Sequence, residues 1–301
     1  MTFLTGQIIA GLLVGAFYAM IALGYSMVYG IIRLINFAHG DLYMVGAFVG
    51  FSLFGVAGAV SRNGMLVAAG IVVLVMCLVG ILGVAIERVA YRPLRRAPLL
   101  SVMITALGMS LILENGVLVT PGWGSLYLVY PVGLSSQGLT ILGYQLTLGQ
   151  LELAIIAIVL MAALYLFVQL TMTGKAMRAI AIDKDASALM GINVDIVIAI
   201  TFFMGAALAG IAGVMGGMYY GQINYLMGFD LGLKAFTAAV LGGIGNIPGA
   251  VLGGFLLGVL ESIGGGYLGS EWASVFSFSI LILLLVVRPT GILGEKLGAR
   301  M

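Results

Sequence analysis

The run "NFAHGD", residues 36 to 41, sets an amide, an imidazole and a carboxylate (Asn36, His39 and Asp41) into an otherwise apolar chain, just after Arg33. Glu114 and Asn115 form a second polar pair in "LILENGVL", and Glu261 stands alone in "LLGVLESIGG". Ionisable side chains in lipid are costly and are by default functional candidates. They do not add up to catalysis. His39 is the only histidine, so neither a His-rich metal site nor H-E-x-x-H is available, and Cys77 is the only cysteine. No G-x-S-x-G or Cys/His pairing occurs. "GGIGNIPG" fails the spacing of a dinucleotide fingerprint, and Gly174-Lys175 is followed by Ala176 without the upstream glycine of a P-loop. The chain reads as no enzyme, with no metal, no nucleotide and no cofactor of its own. Each polar cluster also has a structural alternative. Asn36 or Asp41 would cap a helix start; Glu114 and Glu261 would sit in buried ion pairs or interfaces.

The elements holding these residues follow from composition. Hydrophobic residues make up 62% of 301 positions and charged residues 8%, with a mean hydropathy of +1.21. Soluble domains carry about 25% charged residues, so a chain this poor in charge takes lipid as its solvent. A net charge of +2 gives no footprint for nucleic acid. The opening "MTFLTGQIIAGLLVGAFYAM" lacks a basic start and reads as an uncleaved first span.

A span needs about 20 mostly apolar residues. Candidates are 6–30, 37–57, 65–90, 98–119, 149–170, 195–219 and 271–288, with a further hydrophobic tract at 232–267. Arg88, Arg92, Arg95 and Arg96 lie between the third and fourth spans, and Lys175, Arg178 and Lys184 between the fifth and sixth. Arg288, Lys296 and Arg300 form the tail, while the loop 120–147 carries no charge. The positive-inside rule puts the basic groups in the cytoplasm, 120–147 outside, the N-terminus outside and the C-terminus inside. Glu87, beside the arginines, reads as an interfacial charge. Trp123, Tyr127, Tyr130 and Tyr144 in the outer loop read mostly as an aromatic belt.

Parity then demands a break in 232–267, because one straight helix there would force the basic tail outside. "GGIGNIPGA" supplies it: Pro248 has no N–H to donate, and the six glycines of 234–254 cost roughly 5 kcal/mol in aqueous helix propensity. Short hydrophobic segments interrupted by Gly and Pro point to a transport pathway, which adds Gly243, Gly245 and Asn246 to the candidates. Either two crossings or a re-entrant hairpin satisfies the count. Small residues every fourth position, Gly205, Ala209, Gly213, Gly217 and Gly221, read instead as close helix packing.

The basic loop "TGKAMRAIAIDKDASALMGINVD", 173 to 195, holds one short amphipathic helix around Ile180, Ile182, Ala186, Leu189 and Met190, stopped by Gly191. It is either a connector lying on the membrane or a helix that docks into a groove on a cytosolic partner. Asp185-Ala186-Ser187 followed by Gly191 has the E-A-A-x-x-x-G spacing of ABC importers, with Asp for Glu and Ser for the second Ala.

Three stretches together, "YGIIRLINFAHGDLYMVGAF", "GKAMRAIAIDKDASALMGINVD" and "GLKAFTAAVLGGIGNIPGAVLGGFLLGVLE", closely resemble the LivH-type permease subunit of branched-chain amino-acid ABC importers, over nearly the whole chain. The resemblance implies an all-α polytopic membrane protein of about eight transmembrane helices, one of them broken or re-entrant near 242–249. It implies one permease domain over 1–301 in a bacterial inner membrane, with a cytoplasmic coupling loop at 172–194 contacting the ATPase through Lys184, Asp185, Ala186, Ser187 and Gly191. It further implies a second, LivM-like permease, two cytosolic ATP-binding-cassette subunits that use ATP–Mg, and a periplasmic binding protein delivering leucine, isoleucine or valine. On this reading Asn36, His39, Asp41, Glu114, Asn115, Gly243, Gly245, Asn246 and Glu261 are pathway candidates. Two alternatives stand: a urea or short-amide ABC permease, and a proton-coupled secondary transporter using Glu114, Glu261 or His39.

Overall fold

The computed structural model describes residues 2–58, 64–95, 97–124, 126–135, 137–141, 144–288 and 290–294. Arg96, Lys296 and Arg300, used above to orient the chain, lie outside them. In chain order the helices are α1 (Thr2–Ile32), α2 (His39–Gly58), α3 (Gly64–Ile86), α4 (Leu99–Val119), α5 (Leu148–Leu170), α6 (Met172–Ile182), α7 (Lys184–Leu189), α8 (Val194–Tyr220), α9 (Met227–Gly242), α10 (Ile247–Leu268) and α11 (Ala273–Val287). A π-turn, Glu87–Tyr91, extends α3, and a short 3-10 turn, Ser270–Trp272, precedes α11. Among the described residues, eight helices are long and apolar enough to cross a membrane; α6, α7 and α9 are not among them. The chain is an all-α polytopic membrane protein.

One end of the bundle gathers Arg92, Arg95, Lys184, the α9–α10 turn and Arg288; we call it the basic end. Contacts fix this grouping: Arg92 meets Asp195, and Gly30 meets Gly245. The other, loop end carries two small antiparallel ribbons. In one, β1 (Leu128–Val129) pairs with β4 (Gln222–Ile223), with Leu128 opposite Ile223. In the other, β2 (Gly138–Ile141) pairs with β3 (Tyr144–Thr147), with Gly138 opposite Thr147.

Centre and periphery differ sharply. In the most apolar stretch of α1 and of α8, 72% of residues are buried, against 6% for the α11 span. Lipid tails give helices no hydrophobic reason to associate, so close backbone approach through small residues does that work. α2 runs alongside α8 with Gly46 against Gly210, and with Gly213 against the Tyr43 carbonyl and Ala47. α10 runs along α1 through Gly254 at Ala19 and Gly258 at Gly15. A Cβ at Gly46, Gly213, Gly254 or Gly258 would overlap backbone across the interface, and one at Gly210 would meet the Val79 side chain of α3. The packing reading of the series from Gly205 holds for Gly205 and Gly213, which meet backbone of α1 and α2; Gly217 makes room for the Tyr130 ring of the loop, and Gly221 (φ 68) closes α8 in the left-handed region.

The expected single amphipathic helix at 180–190 is two. Asp183, extended at φ −149, ends α6, and its carboxylate accepts the N–H groups of Asp185 and Ala186 to start α7. Aspartate prefers this capping geometry to a helix interior, where its side chain competes with the backbone. Gly191 (φ +85) ends the segment as the sequence indicated.

Candidate functional site

Two interruptions, not one, break the spans. At the first, Arg33 takes φ 53, and residues 33–38 climb back into the bundle without helix, so α2 starts deep inside. The depth is fixed by its neighbours. The Asp41 carboxylate (Oδ2) accepts the Ser110 hydroxyl at 2.5 Å, and Ser110 stands about 17 Å along α4 from Leu99 at 1.5 Å per residue. The His39 ring lies against Gly24 and Gly205 in the interiors of α1 and α8. At the same level Gly40 presses on Gly228 and Gly232 of α9. The non-helical stretch 221–226 brings the chain down from β4 to this level, where α9 begins. The N-terminal ends of α2 and α9 therefore meet roughly halfway through the bundle. Helix starts expose backbone N–H groups and partial positive charge, and discontinuous helices with such ends at mid-depth are a transporter arrangement.

Asn36, His39 and Asp41 thus lie at mid-depth, because 33–38 re-enters before α2 begins. They are buried, at 2%, 1% and 1% exposure. Neither capping alternative is realised. The Asn36 carbonyl (Oδ1) accepts the Tyr91 hydroxyl at 2.7 Å, and the Asp41 bond goes to Ser110. The His39 ring packs edge-on to Tyr25, with centroids 4.8 Å apart. Three polar atoms here, Asn36 Nδ2, His39 Nε2 and Asp41 Oδ1, have no hydrogen-bond partner. An unpaired buried polar atom costs about 1–3 kcal/mol, so this level of the bundle is held at an energetic disadvantage. Glu114 is half-buried one turn beyond Ser110, near enough to Asp41 for their charges to interact. Asn115 is exposed and donates to the Leu111 carbonyl of its own helix. Asp230 in the first turn of α9 is exposed and had no place in the sequence reading; an acid in "MGFDLGLK" was the signal.

The second interruption, Gly243 to Asn246, falls where the sequence put it, at the basic end. Its polar groups are engaged. Ile292 and Leu293 N–H groups cap the Leu241 and Gly242 carbonyls that end α9. Asn246 starts α10, accepting from Gly249 N–H and donating to the Leu293 carbonyl. Ser26 accepts from Gly245 N–H at 2.8 Å and donates to the Asn246 carbonyl. Gly243 and Gly245 adopt φ +106 and +93, which exclude other side chains.

Glu261 takes the ion-pair alternative. Lys234 of α9 donates to it at 2.5 Å, and Tyr18 and Ser277 hydroxyls donate to its other oxygen. One part-buried knot joins four helices. Glu87 is likewise no interfacial charge: it is buried and paired with Arg95. Arg95 also donates to Asp195 at 2.5 Å, and Arg92 reaches the same carboxylate at 2.6 Å. This network ties the π-turn to the start of α8, beside a 370 Å³ cleft shared by Arg95, Lys184, Asp185 and Ala188. The same π-turn presents Tyr91 to Asn36. Within α7, Lys184, Asp185 and Ala186 are exposed, as are the flanking Ile182, Leu189 and Met190, while Ser187 is buried and donates to the Asp183 carbonyl.

At the loop end the belt reading fails for two aromatics. The Trp123 indole donates to Ser52 and packs on Phe48, and Tyr130 is buried between Gly50 and Gly217. Tyr127 stays exposed.

Eight spans with two mid-bundle helix starts beside buried, partly unpaired polar groups define a membrane permease. The chain belongs to the branched-chain amino acid transport system permease component family, whose pattern matches residues 7–285. It is 45% identical over 297 residues to the high-affinity branched-chain amino acid transport system permease protein LivH of Salmonella typhimurium, covering 96% of this chain and 95% of that one. It is 44% identical over 298 residues to the corresponding permease BraD of Pseudomonas aeruginosa, again covering 96% and 95%. In fold it is similar to PsaBC from Streptococcus pneumoniae (TM-score 0.50, 11% identity, 96% of this chain and 93% of that chain).

Proposed function

We propose that this chain is the membrane-spanning half of an importer for leucine, isoleucine and valine, moving substrate by alternating access driven by partner ATPases. The observation that carries the mechanism is the mid-depth meeting of the α2 and α9 helix starts around Asn36, His39 and Asp41. A zwitterionic amino acid matches it. The Asp41 and Glu114 carboxylates face the substrate's ammonium, helix-start N–H groups receive its carboxylate, and the apolar bundle accepts its side chain.

Coupling runs from the basic end, which we orient toward the cytoplasm. Exposed Leu189 and Met190 on α7, flanked by Lys184 and Asp185, suit an ATPase groove. Asp195, Arg95 and the π-turn carry its displacement to Tyr91 and so to Asn36. The assembly comprises this chain, a second related permease, two ATP-binding-cassette subunits holding ATP–Mg, and a periplasmic binding protein. A proton-coupled carrier is less well supported, since a Glu261 held by Lys234, Tyr18 and Ser277 is a poor proton relay.

The test is purification of the tagged chain in mild detergent, identification of what accompanies it, and reconstitution into vesicles. Two P-loop ATPases, a second permease and ATP-dependent leucine uptake are expected. Uptake by this chain alone without ATP would overturn the proposal, and uptake of urea but not leucine would overturn the substrate. Asp185→Lys or Gly191→Pro abolishes uptake with the complex still inserted; normal uptake would remove α7 from the mechanism.

A further inference from the structure

Arg88 stands apart from the ion network beside it. It is exposed in the π-turn that ends the α3 span, and no hydrogen bond or ion pair holds it among the described residues. Its neighbours are committed: Glu87 to Arg95, and Asp195 to Arg95 and Arg92. Among the described residues of this network, three arginines against two carboxylates leave one positive charge without a partner, and Arg88 carries it.

The charge sits at the mouth of a groove of about 440 Å³ between the end of α3 and the start of α8. Arg88, Arg92 and Asn193 share the polar rim with the arginine-paired carboxylates of Glu87 and Asp195; Val84, Ile200 and Phe203 belong to the apolar wall. That volume lies within the ~300–1,000 Å³ of ligand sites. Both helices end at this level, so the rim lies where lipid headgroups lie, and the wall rises along the spans toward the hydrocarbon. The α8 start adds its partial positive charge.

An apolar wall under a rim with one spare cation selects an amphiphile with an anionic head. We infer that the α3–α8 groove binds a phospholipid of net negative charge, its phosphate on Arg88 and Arg92 and one acyl chain along Val84, Ile200 and Phe203. Basic pockets between spans hold such headgroups in other membrane proteins. Free phosphate would meet the arginines but leave the wall uncovered. A zwitterionic lipid brings its own ammonium next to Arg88 and loses the advantage. The inference does not depend on which substrate is carried.

The purified, partner-bound complex is delipidated and returned to nanodiscs of phosphatidylcholine with or without phosphatidylglycerol. Native mass spectrometry counts retained lipid, and thermal unfolding gives Tm. Phosphatidylglycerol is expected to be retained and to raise Tm, with no rise from phosphatidylcholine alone or inorganic phosphate. Arg88→Glu removes the charge, Ala199→Trp fills the groove without touching a charge, and each lowers retention at least tenfold, while Arg88→Lys keeps most of it. Equal retention in Ala199→Trp and the parent overturns the site even if Arg88→Glu proves unstable. An equal Tm rise with phosphatidylcholine overturns the anionic lipid, and the same rise with inorganic phosphate overturns a lipid altogether.

Discussion

The two interruptions of the bundle look alike as gaps in helix and differ in what they do with their polar groups. At Gly243–Asn246 the α9 carbonyls meet the N–H groups of Ile292 and Leu293, Asn246 caps α10, and Ser26 joins both sides of the turn. At 33–38 and the α2 start, Asn36 Nδ2, His39 Nε2 and Asp41 Oδ1 stay unpaired at mid-depth. Backbone and polar groups in lipid must find partners inside the protein. The turn rich in glycine pairs the α9 carbonyls, the Gly245 N–H and the Asn246 side chain, and is a fastening. The quiet one leaves polar capacity open, which is what a passing polar substrate requires.

The comparison can be broken by moving stability and transport separately. The largest stability effect belongs to the α9–α10 hairpin that the fastened turn closes. Lys234→Met strips the part-buried Glu261 of its cation; breaking a fully buried pair costs about 3–5 kcal/mol, which is the ceiling here. The purified complex should lose Tm strongly, and the double variant Lys234→Met/Glu261→Met should recover much of it. If the single variant kept its Tm but lost transport, Glu261 would return to the pathway.

Next in size is Asp41→Ala. A hydrogen bond to a charged group contributes about 1.5–3 kcal/mol, and at 1.4 kcal/mol per decade leucine uptake should fall roughly 10- to 100-fold, with the chain still inserted by membrane immunoblot. Unchanged uptake would make the open polar groups incidental and collapse the contrast between the two breaks.

How much of this was legible follows the same division. The break at Gly243 was readable because Gly and Pro disfavour helix by local physics and parity demanded a turn. The break at 33–38 was not. "RLINFAHGD" has no proline and reads as the edge of the next span, so Asn36, His39 and Asp41 were picked for their chemistry without their depth. The Lys234–Glu261 pair needs the register of the α9–α10 hairpin, set by Gly242 against Gly249 and Ala238 against Gly253, which no local window contains. Glu87 misled for a similar reason. Beside arginines it looked solvated, but the π-turn faces it inward to Arg95. Composition fixes the solvent and hydropathy marks most of the spans, whereas depth and pairing belong to tertiary structure.

The smallest effects discriminate best, because two variants remove only two and one hydrogen bonds at opposite breaks. Asn246→Ala deletes the α10 cap and the bond to Leu293, a loss of about 1 kcal/mol. It should lower Tm by a few degrees and leave uptake per inserted chain unchanged. Tyr91→Phe deletes only the hydroxyl bonded to Asn36, about 0.5–1.5 kcal/mol, so its Tm shift should be no larger. Its uptake should nonetheless fall severalfold while ATP hydrolysis persists, because the bond links the π-turn below to the mid-depth segment above. Measuring Tm, uptake and ATPase rate on both variants in one reconstituted complex places each break on its own axis. Uptake that tracked Tm alike in both would reduce the Tyr91–Asn36 bond to scaffolding.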